Sequence, residues 1–222
     1  MIDIATWTQA FMSALDASFG QRIWFVGLQG SYGRGEATED SDIDMVVILD
    51  TLSVDDVLTY RALLDSLAHR DTACGFLAGW EEITHWDAAD LFQLYHDTLP
   101  LRGSLDTLLP RLDDQAVERA IHLGACNIYH GCVHNMIYAQ KEKTLRGLYK
   151  QAVYVIQAIH YRATGHFVRR QQDLENVLDA PEQAILRTWM NLRAGQPVEL
   201  ADMSQALLAW VRHWVILGGR AD

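Results

Sequence analysis

Cysteine is scarce in this chain and comes in an odd number, with Cys74, Cys126 and Cys132 the whole supply among 222 residues. A disulfide framework is therefore excluded as a source of stability, and a reducing, cytoplasmic setting is expected. Basic residues are also in deficit: 18 Lys and Arg against 29 Asp and Glu leave a formal net charge of −11. Such a balance lacks the clustered cations that neutralise backbone phosphates, so no nucleic acid is expected as a partner. Long hydrophobic runs are missing too. The most apolar late stretch, residues 207–219, is interrupted by Arg212 and His213 and is too short to span a bilayer. Residues 1–20 carry an early Asp3 and no basic start, so neither a membrane segment nor a signal peptide is expected. Internal repeats and low-complexity stretches are absent.

What the chain does have is ordinary globular material, 50% hydrophobic and 21% charged, with room for one large domain or two small ones. Its pattern changes near Pro110. Before that point strands and helices alternate. Residues 4–19 place Ile4, Trp7, Phe11, Leu15 and Phe19 on one helical stripe that stops at Gly20. Residues 23–28 and 43–49 read as buried strands, residues 73–78 as a third strand and residues 91–96 as a fourth. Ser53 caps a helix expected over 54–68, and 81–86 reads as a helical turn. Beyond Pro110, residues 114–139, 142–164, 181–193 and 201–217 are all helical in period, which predicts an antiparallel bundle. The expected division is an α/β domain with a mixed sheet over 1–108 and an all-α bundle over 109–222.

The segment that carries chemistry lies between residues 28 and 50. A glycine-rich turn with Gly30, Ser31 and Arg34 leads to Ser41, and then to Asp42 and Asp44 at the head of an apolar strand. Side chains i and i+2 of a strand share a face, so the two acids project together, about 6 to 7 Å apart along the chain. Paired carboxylates suit a hard divalent cation, and a glycine turn offers backbone N–H groups to an anion. No Lys-Ser or Lys-Thr follows the glycines, which excludes a Walker loop, and G-x-G-x-x-G is absent.

Gly30-Ser31, the ten residues Tyr32 through Ser41, then Asp42-Ile43-Asp44 in an apolar strand resemble the DNA polymerase β-type nucleotidyltransferase superfamily. Within it, an α/β domain followed by a helical bundle is similar to aminoglycoside adenylyltransferases of the streptomycin/spectinomycin type. It is also similar to minimal nucleotidyltransferases partnered with HEPN-type helical domains. Ser41-Asp42-Ile43-Asp44, the segment Glu81-Glu82-Ile83 with Trp86, and Thr164-Gly165 at a helix end carry the narrower likeness. The resemblance implies that Asp42 and Asp44 hold two Mg²⁺ ions that bridge the triphosphate of ATP or another nucleoside triphosphate. It implies phosphate contacts for Gly30, Ser31, Arg34 and Ser41, and a triphosphate contact for Arg169 or Arg170.

The superfamily's third carboxylate comes from a later strand, and here that position falls on or near Cys74. Asp97 is the first substitute, with Glu36, Asp71, Glu81 and Glu82 behind it. The implied reaction moves a nucleoside monophosphate to a hydroxyl, with an acidic cleft facing the bundle holding a small acceptor such as an aminoglycoside; antibiotic resistance would be its use. A protein acceptor, as in antitoxin-like adenylylating transferases, and a non-catalytic nucleotide-binding module are the alternatives. Two other patterns carry less. His122, Cys126, His130 and His134 rotate about 120° around a helix over about 18 Å, so the four cannot converge on one zinc ion. Arg162 and His166 are one residue too close for a HEPN ribonuclease pair. Trp80 and Trp86, which flank Glu81-Glu82, are candidates for lining an acceptor pocket.

Overall fold

The computed structural model describes residues 2–219. The chain divides into two compact units, one made of Met1–Asp87 and Leu94–Pro110, the other of Ala88–Gln93 and Arg111–Asp222.

The first unit is built on a four-stranded mixed sheet in the order β3-β2-β1-β4. Its strands are β1 (Ile23–Gln29), β2 (Ile43–Leu49), β3 (Ala73–Gly79) and β4 (Leu99–Arg102). β1 runs antiparallel to β2 and β4, and β2 runs parallel to β3. From Met45 to Leu49 every residue of β2 is fully buried, which is why it reads as an unbroken apolar run. Helix α1 (Ile4–Phe19) is capped by Asp3, whose carboxylate accepts from the N–H groups of Ala5 and Thr6. Its stripe of Trp7, Phe11, Leu15 and Phe19 packs with Ile43, Met45 and Val47. A five-residue helix, α2 (Gly30–Arg34), follows β1 directly. Helix α3 (Val54–Asp65) begins with a reciprocal capping box between Ser53 and Asp56. It ends three residues short of the expected Ala68, where the chain turns through His69 at φ 58°. Helix α4 is Trp80–His85.

One expected element is corrected. Residues 91–96 are not a strand but the body of helix α5 (Ala88–Asp97), and the fourth strand is the next segment, Leu99–Arg102. Leu91, Phe92 and Leu94 are buried, whereas a strand would alternate. A short aromatic-rich apolar run does not separate the two periods. Pro100 is tolerated in β4 because that strand is an edge.

The second unit consists of α6 (Asp114–His134), α7 (Glu142–Thr164), the short α8 (Gln171–Glu175), α9 (Ala180–Arg193) and α10 (Leu200–Gly218), with the start of α5. Helix α6 packs against α7 and α10, and α7 against α9. The core joins Ile121, Ile128, Leu145, Tyr149, Ile156, Leu186, Leu207 and Val211. The expected helix over 114–139 is α6 followed by a π-helical turn, Asn135–Ala139. Buried Asn135 closes that turn: its Oδ1 accepts from the Lys141 N–H at 3.0 Å and its Nδ2 donates to the Lys141 carbonyl at 3.2 Å.

Candidate active site

Gln29, the last residue of β1, is the cross-strand partner of Asp44, so the turn that follows β1 begins beside that carboxylate. Gly30 has φ +67°, in the left-handed region that glycine favours. A Cβ placed on it would stand 2.1 Å from Oδ2 of Asp44, so only a residue without a side chain lets the carboxylate lie against the turn. Gly33 makes the second close approach, since a Cβ there would meet the Leu28 carbonyl oxygen at 2.6 Å. Two glycines therefore press α2 onto the end of β1 and against the head of β2. The first turn of α2 has no side-chain cap, and its N–H groups begin at the same edge as Asp44.

Asp42 precedes β2 and is exposed, whereas Asp44, its second residue, is half-buried. The N–H of Ile43 between them donates to the Thr72 carbonyl at 2.9 Å, which ties this corner to the turn before β3. Oxygen donors at these two positions match the preference of Mg²⁺, which takes one or two carboxylates and completes its shell with water and substrate phosphates. Among the described residues no group of three or more His, Cys, Asp or Glu side chains is gathered to hold an ion.

Cys74 stands directly opposite Asp44 in the parallel β2–β3 register and is exposed. Thiol sulfur is a poor donor to a hard ion, so β3 supplies no third acid at this level. Asp97 is not available in the simple sense expected. It is 2% exposed, and both its oxygens accept from Nη1 of Arg34, at 2.9 and 2.7 Å. Arg34 is itself 7% exposed, and its Nε donates to Glu36 at 3.3 Å. The expected phosphate contact and the expected third carboxylate are thus each other's partners inside the fold.

Glu81 and Glu82 open α4, beyond the far end of β3, roughly 16 Å of strand from the level of Cys74. Trp80 and Trp86 share that end, where they pack against Trp24 and Phe76. None of these four is brought to the Asp44 edge. Asp71, exposed in the turn just before β3, enters from the same end of the sheet as Asp42. Ser31 is half-buried in the first turn of α2. Ser41 closes its own loop, because its hydroxyl accepts from the Thr38 N–H at 2.8 Å and its N–H donates to the Thr38 carbonyl. Arg170 lies in the second unit, exposed, as the residue before α8; Arg169 beside it is half-buried. In the same unit His122 Nε2 and Cys126 Sγ are 3.7 Å apart, and the rings of His130 and His134 lie 6.2 Å apart.

The Arg34–Asp97 pair is the feature that sequence reasoning misplaced. The only available signal was that α5 ends in an acid, and nothing along the chain connects residue 97 to residue 34.

Comparison with known proteins agrees with this geometry. A family model described as a nucleotidyltransferase domain matches residues 17–73, which include β1, α2, β2 and both acids. No curated protein matches the chain. A solved structure of spectinomycin adenyltransferase AAD(9) from Enterococcus faecialis with ATP and spectinomycin superposes with a TM-score of 0.61 at 11% identity. The match covers 97% of this chain and 99% of that one, so the two share a fold along nearly their whole length. The α/β unit thus carries a nucleotidyltransferase domain over residues 17–73, and the chain is an enzyme of the nucleotidyltransferase class.

Proposed function

We propose that this enzyme transfers a nucleoside monophosphate, AMP from ATP in the first instance, to a hydroxyl of a small polyhydroxylated amine of the aminoglycoside class. The observation that carries the proposal is the contact of Gly30 with the Asp44 carboxylate, which sets an anion-binding turn and a cation ligand side by side.

Each residue contributes through its position. Asp42 and Asp44 present oxygen donors from one edge of β2 and would hold Mg²⁺ there. Mg²⁺ held by those carboxylates would neutralise charge on the triphosphate and lower the pKa of the attacking hydroxyl. Gly30 and Ser31 offer N–H groups, and Ser31 a hydroxyl, to phosphate oxygens. The buried Arg34–Asp97 pair braces the back of that turn: it fixes the end of α2 to the end of α5, and with it the direction of the N–H groups. Ser41 keeps the loop before Asp42 closed through Thr38. With Cys74 at the level of Asp44, the acid best placed to complete the site is Asp71. Phosphoryl transfer is mostly a matter of alignment and electrostatics, and rigid placement of these groups is what the fold provides. The acidic surface, net −11, favours a cationic acceptor. The spectinomycin bound in the matched adenyltransferase is a small acceptor of that kind.

The test is pyrophosphate release from labelled ATP and Mg²⁺, with a panel of aminoglycosides against cell lysate as acceptor sources. Asp42→Asn and Asp44→Asn are each expected to lower transfer at least about a hundredfold, as when a catalytic metal loses a ligand. Near-normal transfer by either variant would remove the assignment. Labelling of a protein in the lysate with no aminoglycoside modified would move the acceptor to the protein class. Asp71→Asn tests the third carboxylate, and an unchanged rate returns that role to solvent.

A further inference from the structure

In the helical unit, α9 and α10 line an open cavity of about 630 Å³. That is the size of a small-molecule site. Its floor holds Glu182, which is 8% exposed. One carboxylate oxygen, Oε1, accepts from two indoles at once, Trp210 Nε1 at 3.0 Å and Trp214 Nε1 at 3.1 Å. The other, Oε2, receives no hydrogen bond from any described residue and is not sealed from the cavity. No Lys or Arg lines the cavity, its one imidazole, His213, is exposed and makes no hydrogen bond to Glu182, and Arg162, which lies over Trp214 at 5.1 Å, is paired with Glu118.

A buried carboxylate without a cation is costly, and two neutral N–H donors on one oxygen offset only part of that cost. Glu182 stands in the first turn of α9, where the helix dipole helps, yet it does not serve as a cap. Asp179, exposed at the rim and at the N-cap position, makes no side-chain capping bond either. Two acids are thus turned to other use at one mouth. The room itself comes from small residues, Ala184 on α9 and Ala206 and Ala209 beside the tryptophans on α10.

From this arrangement we infer a binding site for a protonated organic amine with an apolar body. The ammonium N–H groups donate to Oε2 of Glu182, Asp179 adds negative potential at the entrance, and the apolar body lies along Trp210, Trp214 and the alanines. A primary or secondary ammonium fits better than a quaternary one, because the indole N–H edges are already spent on Glu182 and the open acceptor is a carboxylate oxygen. The inference does not rest on the acceptor proposed above.

Isothermal titration of the full chain with phenethylammonium at neutral pH tests the inference, with 2-phenylethanol as its neutral counterpart. The amine is expected to bind with a dissociation constant of about 1 mM or tighter and the alcohol at least about tenfold more weakly. Glu182→Gln preserves the acceptor for both indoles and replaces only the open oxygen. It should weaken the amine at least about tenfold and leave the alcohol unchanged. Ala209→Leu, at an exposed helix position, should fill the cavity and abolish binding of both. No binding of the amine, equal binding of amine and alcohol, or undiminished amine binding in Glu182→Gln would each overturn the site. Should Glu182→Gln fail to fold by circular dichroism, undiminished amine binding in Ala209→Leu overturns it instead.

Discussion

The two units carry their chemically important groups in opposite ways. In the α/β unit, Gly30, Ser31, Asp42 and Asp44 interrupt or end apolar strands, so they stand out against their neighbours in the chain. In the helical unit, Glu182 is one more acid in the first turn of a helix, where acids are common for reasons of dipole and solvation. Its burial beneath two tryptophans comes from α10, about thirty residues further along. A site built within one strand–turn–strand segment declares itself locally, whereas a site assembled between helices does not.

The sharpest way to break that contrast is at Gly30. Gly30→Ala must accommodate both a positive φ and a collision with the Asp44 carboxylate. Pyrophosphate release should fall at least about a hundredfold, the scale expected of an ångström-level misplacement. Normal release would show that the turn and the acid are not a working pair.

Next in size is Asp97→Ala, which takes from buried Arg34 the carboxylate that accepts from its Nη1. The α/β unit should lose about 3 kcal/mol, read as a shift of its urea midpoint, because breaking a buried ion pair leaves its remaining charge poorly solvated. An unchanged midpoint would deny the pair its bracing role.

Smaller, and matched between units, are Ser53→Ala and Tyr149→Phe. The first removes the cap of α3 and should cost about 1 kcal/mol. The second removes a hydroxyl that donates to the Met203 carbonyl at 2.9 Å and should cost a similar amount. Thermal melts of both variants check whether the two units share one cooperative transition.

The gentlest test is pH. In the α/β unit, the Arg102 guanidinium holds the Asp16 carboxyl below its usual range, and Arg22 does the same for Asp56. A carboxyl depressed in the fold contributes fully above its unfolded value of about 3.9, and that contribution fades as pH falls through the folded value. In the helical unit, burial and then the neighbouring His166 lower the His160 pKa. Its unfolded form takes up a proton below about pH 6.5 before the folded form does, so acidification there favours unfolding. Between about pH 6.5 and 4 the helical unit should therefore weaken first, as residue-resolved NMR during urea titration would report. His160→Gln should erase the difference, and earlier loss of the α/β unit would reverse the comparison.

Much of the fold was legible along the chain. Helix α1, strands β1 and β2 and the four long helices follow from stripes and runs whose period matches their buried faces. Residues 91–96 failed because six residues with two aromatics satisfy a strand and a helix equally, and only packing of Leu91, Phe92 and Leu94 decides. The Asp42–Asp44 pair was legible because strand geometry alone aligns i and i+2. The partnership of Arg34 with Asp97 was not, because it joins elements 63 residues apart.

Taken alone, the amino-acid sequence determined the local things: which segments coil or extend, where a small-residue bend precedes two acids, and how little positive charge there is. Backbone geometry and side-chain periodicity are short-range, so they can be read from neighbours. Tertiary structure decided which charges are spent on each other. It withdrew Arg34 and Asp97 into the interior, set Cys74 across from Asp44, and left one oxygen of Glu182 without a partner. Those outcomes depend on which surfaces meet, and burial raises the energetic stakes of every charge where they do.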